Sequence, residues 1–284
     1  MFNMIFENKK GEQLHFGAGY PYTIMDFSGL NPSDATINTS TTALMDGGIY
    51  NSSKLNMRSM NIAFAIEENA EENRLAVYKV VQNKMPIRVY FQSDKLDIFI
   101  DGYVESCSPT YWGKKNIVTV SILCPFPYFK SAQEMINEFS ALTNMFHFPF
   151  ASTEEPELIM GSIDPMTAID IINDGSAPCG ITFVLYARRN LTNPKIINYN
   201  TGEFLELKMQ MLAGDEITIT TGQGNKTITL LRDAEEINIF NDLNMDSTWL
   251  QLDVGENFFV YEVAEGLETD LIITIKHYDL YEGV

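Results

Sequence analysis

Apolar residues recur at every second position over much of this chain, the signature of strands with one buried face. Met4-Ile5-Phe6 and Leu14-His15-Phe16 flank the polar turn Asn8-Lys9-Lys10-Gly11, which predicts an opening β-hairpin. Residues 17–54 break the pattern. Gly, Ser, Thr and Asn dominate there, Gly47-Gly48 interrupts, and neither period is sustained, so the stretch reads as an ordered excursion or a long loop. Loops of that length in compact domains usually serve a function, and a wrapping arm is one such use. Alternation resumes at Leu55, but Leu55 and Met57 are out of phase with Met60, Ile62, Phe64 and Ile66, and a bulge near Arg58-Ser59 reconciles them. Over residues 70–82, Arg74, Leu75, Tyr78 and Val81 fall at helical spacing, with glutamates in the first turn and Pro86 beyond the end. Strands are expected over Ile87–Gln92, Leu96–Glu105 and Asn116–Cys124, the first two joined by Ser93-Asp94-Lys95. Pro125 and Pro127 close this block, since neither can donate to a central ladder.

The pattern then changes. A short helix is expected at Ala132–Phe139, followed by Phe146-His147-Phe148-Pro149-Phe150 and the acidic residues Glu154, Glu155 and Glu157. Beyond about residue 160, short strands alternate with turn signals such as Asn173-Asp174-Gly175, Ala213-Gly214-Asp215 and Gly222-Gln223-Gly224-Asn225. Ile217 with Ile219, Ile228 with Leu230, and Leu271, Ile273 and Ile275 keep period 2, and no helix intervenes, which predicts an antiparallel sandwich. The organisation expected is an amino-terminal domain over residues 1–135, a linker over 136–157 and a carboxy-terminal domain over 158–284.

Composition removes several function classes. With 38 acidic against 19 basic side chains and a formal net charge of -19, the chain is unsuited to binding phosphate backbones or an anionic membrane surface. A hydrophobic fraction of 45% and a charged fraction of 20% exclude global disorder. Met1–Asn8 lacks the basic start and apolar run of a signal peptide, and no stretch has the length of a membrane span. Cys107, Cys124 and Cys179 form no CxxC pair and read as reduced, buried small hydrophobes, so synthesis in a cytosol is expected.

Candidate chemistry is sparse. His15, His147 and His277 are scattered and without HExxH spacing, which gives a zinc site little support. Gly222-Gln223-Gly224 sits between two strands and reads as a hairpin turn rather than a phosphate cradle. Glu154-Glu155 and Glu235-Glu236 read as solvated faces, and no catalytic acid is assigned. Trp249, in the strand-like run Ser247–Leu252, reads as a core aromatic, with a sugar-stacking platform formed with Trp112 as the alternative. Arg88 and Tyr90 alternate with Ile87, Val89 and Phe91, so they share a half-exposed face that is either a protein contact or an ordinary solvent face.

A string of weak motifs, in order along nearly the whole chain, resembles the distal tail protein (Dit) family of long-tailed siphophages. It runs through Phe6-x-Asn8 with Gly11-Glu12, Gly29-Leu30, Arg88-x-Tyr90-Phe91, Ile100-x-Gly102-Tyr103-Val104-Glu105-Ser106 and Cys124-Pro125-x-Pro127-Tyr128-Phe129. It continues in Phe146-x-Phe148-Pro149-Phe150, Asn173-Asp174-Gly175-x-Ala177-Pro178-Cys179-Gly180, Gly214-Asp215-x-Ile217, Asp246-Ser247-Thr248-Trp249-Leu250 and Tyr281-x-Gly283-Val284. The resemblance implies a mainly β protein: a tail-tube-like, ring-forming amino-terminal domain with one helix, and a galectin-like carboxy-terminal antiparallel sandwich. It implies a structural, non-enzymatic role without cofactor, as a homohexameric ring at the distal tail tip of the virion, assembled in the host cytoplasm. Its partners would be the tail tube protein, the tail-associated lysin or fibre hub, and receptor-binding or other baseplate proteins, around a channel for DNA that is not bound sequence-specifically. Residues 17–54 fall where such proteins carry an extension that embraces the neighbouring subunit. Gly29, Arg88, Tyr90, Gly102, Tyr103, Pro149, Asp215 and Trp249 are the motif or contact candidates. The rival class is a carbohydrate-binding adhesin of the host cell surface.

Overall fold

A computed structural model describes residues 3–44, 46–110, 116–143, 162–165 and 168–284. The fold is mainly antiparallel β, with one α-helix among the described residues. Two compact units divide the chain, Met1–Ala132 with Leu280–Val284, and Gln133–Asp279.

The first unit opens with the expected hairpin, β1 (Asn3–Asn8) and β2 (Gln13–Phe16). Its register pairs Met4 with Phe16 and Phe6 with Leu14, which puts all four apolar side chains on one face. β3 (Tyr22–Ser28) follows, then β4 (Ala35–Ser40), β5 (Ile49–Leu55) and β6 (Arg58–Ile66). Residues 17–54 are therefore not one loop. β3 is a strand of the main sheet, and β4 and β5 pair only with each other. Nor is there a bulge at Arg58-Ser59, because the phase change falls where the chain leaves β5 for β6, two strands of different sheets. Register shifts occur at Ile24/Asp26 and Val104/Ser106 instead.

Helix α1 (Ala70–Val80) matches the expected span. It buries Val77, Val80 and the following Val81, while Leu75 faces solvent, so the buried stripe differs from the expected one. β7 (Pro86–Gln92), β8 (Asp97–Pro109), β9 (Asn116–Cys124) and β10 (Phe129–Ser131) complete the unit. The main sheet runs β2-β1-β7-β8-β9-β6-β3, and its ends approach one another: Phe16 of β2 meets Tyr22 of β3 at 5.7 Å and Phe64 of β6 at 4.9 Å. The alternate side chains Met4, Phe6, Phe64, Val89, Ile100, Val120 and Ile122 thus share one core, and the intervening residues are left on the sheet's outer face.

Two of the candidate glycines are explained by close packing here. Gly29 has φ +95°, and a Cβ there would lie 2.5 Å from the Ser59 carbonyl oxygen. A Cβ on Gly102 would lie 2.6 Å from Ile122 Cγ2 and 2.8 Å from Cys124 Sγ.

In the second unit, one sheet orders the strands Met135–Glu138, Leu271–His277, Cys179–Ala187, Glu216–Gly222, Asn225–Arg232 and Glu235–Asn238. A four-stranded sheet orders Ala168–Asn173, Gly255–Glu262, Lys195–Asn198 and Phe204–Glu206. Phe183 of the first meets Phe259 of the second at 6.1 Å, with Ile181, Ile217, Ile273 and Tyr261 also buried. The Gln223-Gly224 hairpin turn is as expected, since Gly222 pairs with Asn225 and Gly224 has φ +77°.

The helix expected at Ala132–Phe139 is instead the strand Met135–Glu138, paired with Leu271–His277. A partner more than 130 residues away overrides the local preference. The units divide at 132/133, and the chain end returns to the first unit as Leu280 pairs with Lys130 and Tyr281 with Phe129. Pro149, His147, Trp112 and the Glu154-Glu155 pair lie outside the described residues.

Candidate assembly surfaces

β7 and β8 pair Arg88 with Asp101, Tyr90 with Phe99 and Pro86 with Tyr103, which gathers these residues on the outer face of the main sheet. Arg88 Nε donates to Asp101 Oδ1 at 2.7 Å, and its guanidinium lies 4.2 Å from the centroid of Phe99. Lys130 Nζ, on β10, stands 3.5 Å from Asp101 Oδ2. Tyr90 packs on Phe99 at 5.8 Å, and Tyr103 is exposed. Phe99 is buried beneath Arg88, Lys130 and Tyr90, whose charged and aromatic groups pack on its ring at the outer face. Three of the candidate residues, Arg88, Tyr90 and Tyr103, are thus neighbours on one face. Beside them a concavity of about 830 Å³ is bounded by the Asn8–Gly11 turn, by β7 and β8, and by Pro125 and Phe126.

β4 and β5 bury none of their residues, and Ile37 and Tyr50 are 63% and 61% exposed. A two-stranded ribbon alone is marginal in water, and apolar side chains on both of its strands mark it as a segment that gains from a partner.

Arg58, expected from the sequence only as a bulge position, has another role. Its side chain is 3% exposed and donates to four backbone carbonyls: Gly29 and Asn31 at 2.6 Å, Pro127 at 2.8 Å and Glu282 at 2.5 Å. Burial pulls its pKa below the usual arginine value. The guanidinium ties the link after β3, the turn before β10 and the chain end to one point. No periodicity marks it, because the partners are main-chain atoms scattered along the sequence.

In the second unit, Asp215 is 2% exposed and accepts from Arg232 Nε at 2.8 Å and from the Leu212 amide at 2.7 Å. It fixes the turn before Glu216–Gly222, a structural role for this motif residue. The hydrogen bond from Arg232 holds its carboxyl below the usual 3.8, so its stabilising contribution is complete above about pH 4 and is lost as pH falls through the lower folded-state value. Arg232→Ala is expected to cost about 1–3 kcal/mol at neutral pH and to flatten this acid limb, as measured by urea midpoints between about pH 6 and pH 3.

Trp249 departs from the expected core aromatic. The strand in this run covers only Gln251–Leu252 and leaves Trp249 outside it, and the residue is half-buried, its ring stacked on Phe240 at 5.7 Å with Lys226 Nζ 5.3 Å from its centroid. These contacts occupy the ring that a sugar platform would need. His277 Nε2 lies 3.4 Å from Asp279 Oδ1, and both side chains are buried. Burial pulls the imidazole below its usual value and pushes the carboxyl above its own, so both shifts favour neutral groups. Cys124 and Cys179 are buried and free, and burial pushes both thiols up to about 12; Cys107 is half-buried and pushed up to about 11. Among the described residues no group of three His, Cys, Asp or Glu side chains could hold a metal ion. No described helix is long and apolar enough to cross a membrane.

Residues 174–277 match a family described as siphovirus-type tail component, C-terminal domain. The matched residues lie within the second unit, Gln133–Asp279. The match agrees with the resemblance carried by the motifs. Among solved structures, a likeness of fold extends over both units: the SPP1 Dit (gp 19.1) protein, described as a paradigm of hub adsorption apparatus in phages infecting Gram-positive bacteria, matches with TM-score 0.68 over 99% of each chain at 14% identity. A chain of the phage P2 baseplate in its activated conformation with Ca matches with TM-score 0.51 over 97% of each chain at 13% identity. The Sr form of the p2 baseplate gives TM-score 0.50 at 12% identity, covering 97% of this chain and 98% of that one. No curated protein sequence matches the chain.

Proposed function

We propose that this protein is a structural hub of a phage tail tip, assembled as a closed homohexameric ring. The observation that carries the reading is the end-to-end fold likeness to SPP1 Dit, together with the match of residues 174–277 to the tail-component family. In this reading the first unit builds the ring and the β4–β5 hairpin reaches across to the neighbouring subunit, whose surface covers Ile37 and Tyr50. The ring joins the tail tube above to the tail-associated lysin or fibre hub below, with receptor-binding or other baseplate proteins docked on the second unit. DNA passes through the central channel, where the chain's acidic excess opposes adhesion of phosphate. The protein carries no catalytic role and resides in the virion after assembly in the host cytoplasm.

Heterologous contacts that close after six rotations make a ring without free edges. Native mass spectrometry of the purified chain at tens of micromolar is expected to give a hexamer, and negatively stained images a ring with a central opening. A strictly monomeric chain, which partner proteins also fail to assemble, contradicts the reading.

A further inference from the structure

We propose that successive subunits join head to tail through α1, with the basic groove at one end of the helix receiving the acidic cluster at the other end in a second copy. The inference rests on the ring reading and names a contact within it.

The groove is the concavity beside β7 and β8. Its lining carries Lys9, Lys10 and Arg88 against Glu7 and Asp101, an excess of one positive charge. Arg88 and Asp101 neutralise each other at 2.7 Å, so the excess comes from Lys9 and Lys10 on the exposed hairpin turn. Neither lysine forms an ion pair with a described residue. Tyr103 and Phe126 give the groove apolar walls. The turn is anchored to the last turn of α1, because Asn8 Nδ2 donates to the Lys79 carbonyl at 3.3 Å.

At the opposite end, Glu67 and Glu68 precede α1 and Glu71 and Glu72 occupy its first turn, all exposed and none in an ion pair with a described residue. The helix of 11 residues separates the two ends by about 16 Å, well beyond the reach of a lysine side chain. The two charge clusters therefore cannot satisfy each other within one chain. On a chain of net charge -19, an unpaired basic groove is complementary to another copy of the same chain. Because knob and groove are different patches, the contact is heterologous, the kind that generates rings.

The test is a charge swap in the full-length chain, read by sedimentation velocity and native mass spectrometry, with circular dichroism to verify folding. Lys9→Glu/Lys10→Glu makes groove and knob both acidic. Glu67→Lys/Glu68→Lys/Glu71→Lys/Glu72→Lys makes both basic. Each variant alone is expected to associate roughly tenfold more weakly than the wild type or worse, and an equimolar mixture to recover assembly with the two variants alternating. Should the quadruple change perturb α1, Glu67→Lys/Glu68→Lys leaves the helix's own first turn intact and serves in the same mixture. Wild-type-like assembly of either variant alone, or a mixture that fails to recover, overturns the groove contact while the ring reading stands. A wild type that never self-associates removes both.

Discussion

Replacing Arg58 by methionine is expected to destabilise the amino-terminal unit by about 3–5 kcal/mol, the largest effect of any single substitution considered. Methionine keeps most of the volume and the contact with Phe129, whose ring centroid is 4.5 Å from the guanidinium carbon, so the loss isolates the hydrogen bonds. Four carbonyls, of Gly29, Asn31, Pro127 and Glu282, lose their donor together. An unmet buried acceptor costs about 1–3 kcal/mol, and partial access of water to some of the four keeps the total below their sum. Lysine is expected to rescue little, since one ammonium cannot span the fork that a planar guanidinium fills. Urea unfolding gives the stability change. Hydrogen exchange at Leu280 and Tyr281 adds a local reading, because their pairing with Lys130 and Phe129 lies next to the Glu282 carbonyl. If Arg58→Met unfolds within about 1 kcal/mol of the wild type, the guanidinium does not hold these three segments together.

The second large effect is expected at Gly180, where alanine should cost about 3 kcal/mol or more. A Cβ there would lie 2.4 Å from Gly222 Cα and 2.8 Å from Gly222 N, main-chain atoms that cannot swing away as a side chain would. Relief requires Cys179–Ala187 to part from the end of Glu216–Gly222. That movement also breaks the hydrogen bond from the Ile181 amide to Thr221 Oγ1 at 2.9 Å and the one from Gln251 Nε2 to the Thr221 carbonyl at 2.9 Å. Gly222→Ala is the matched control. Its added Cβ meets nothing within 4 Å, so a change of at most about 0.5 kcal/mol is expected although the two glycines touch. Thermal unfolding of the two variants side by side tests the asymmetry. Equal melting temperatures would falsify the close-approach account.

Local patterns were legible in the sequence wherever the physics is local. The opening hairpin, α1, the strands from Ile87 to Cys124 and the Gln223-Gly224 turn follow from side-chain alternation, helical spacing and turn chemistry within a few residues. So did the shared face of Arg88 and Tyr90, because alternation states which side chains point together. The family resemblance added what periodicity cannot, and it falls on the family that residues 174–277 match.

Tertiary structure decided the rest. Alternation tells which face of a strand is buried but not which strand lies beside it, so the pairing of Met135–Glu138 with Leu271–His277 was invisible and a helix was expected instead. β3 was hidden because its exposed residues blur its period, and the return of Leu280–Tyr281 to the first unit because its partner lies 150 residues back. Trp249 lies outside the strand Gln251–Leu252 and half-buried at the surface, because the alternation around it does not extend into a strand there. Arg58 is the clearest case. A buried guanidinium among four carbonyls from three separate places in the chain has no signature in any window of sequence, because backbone oxygens are the same at every residue and only the fold brings those four together.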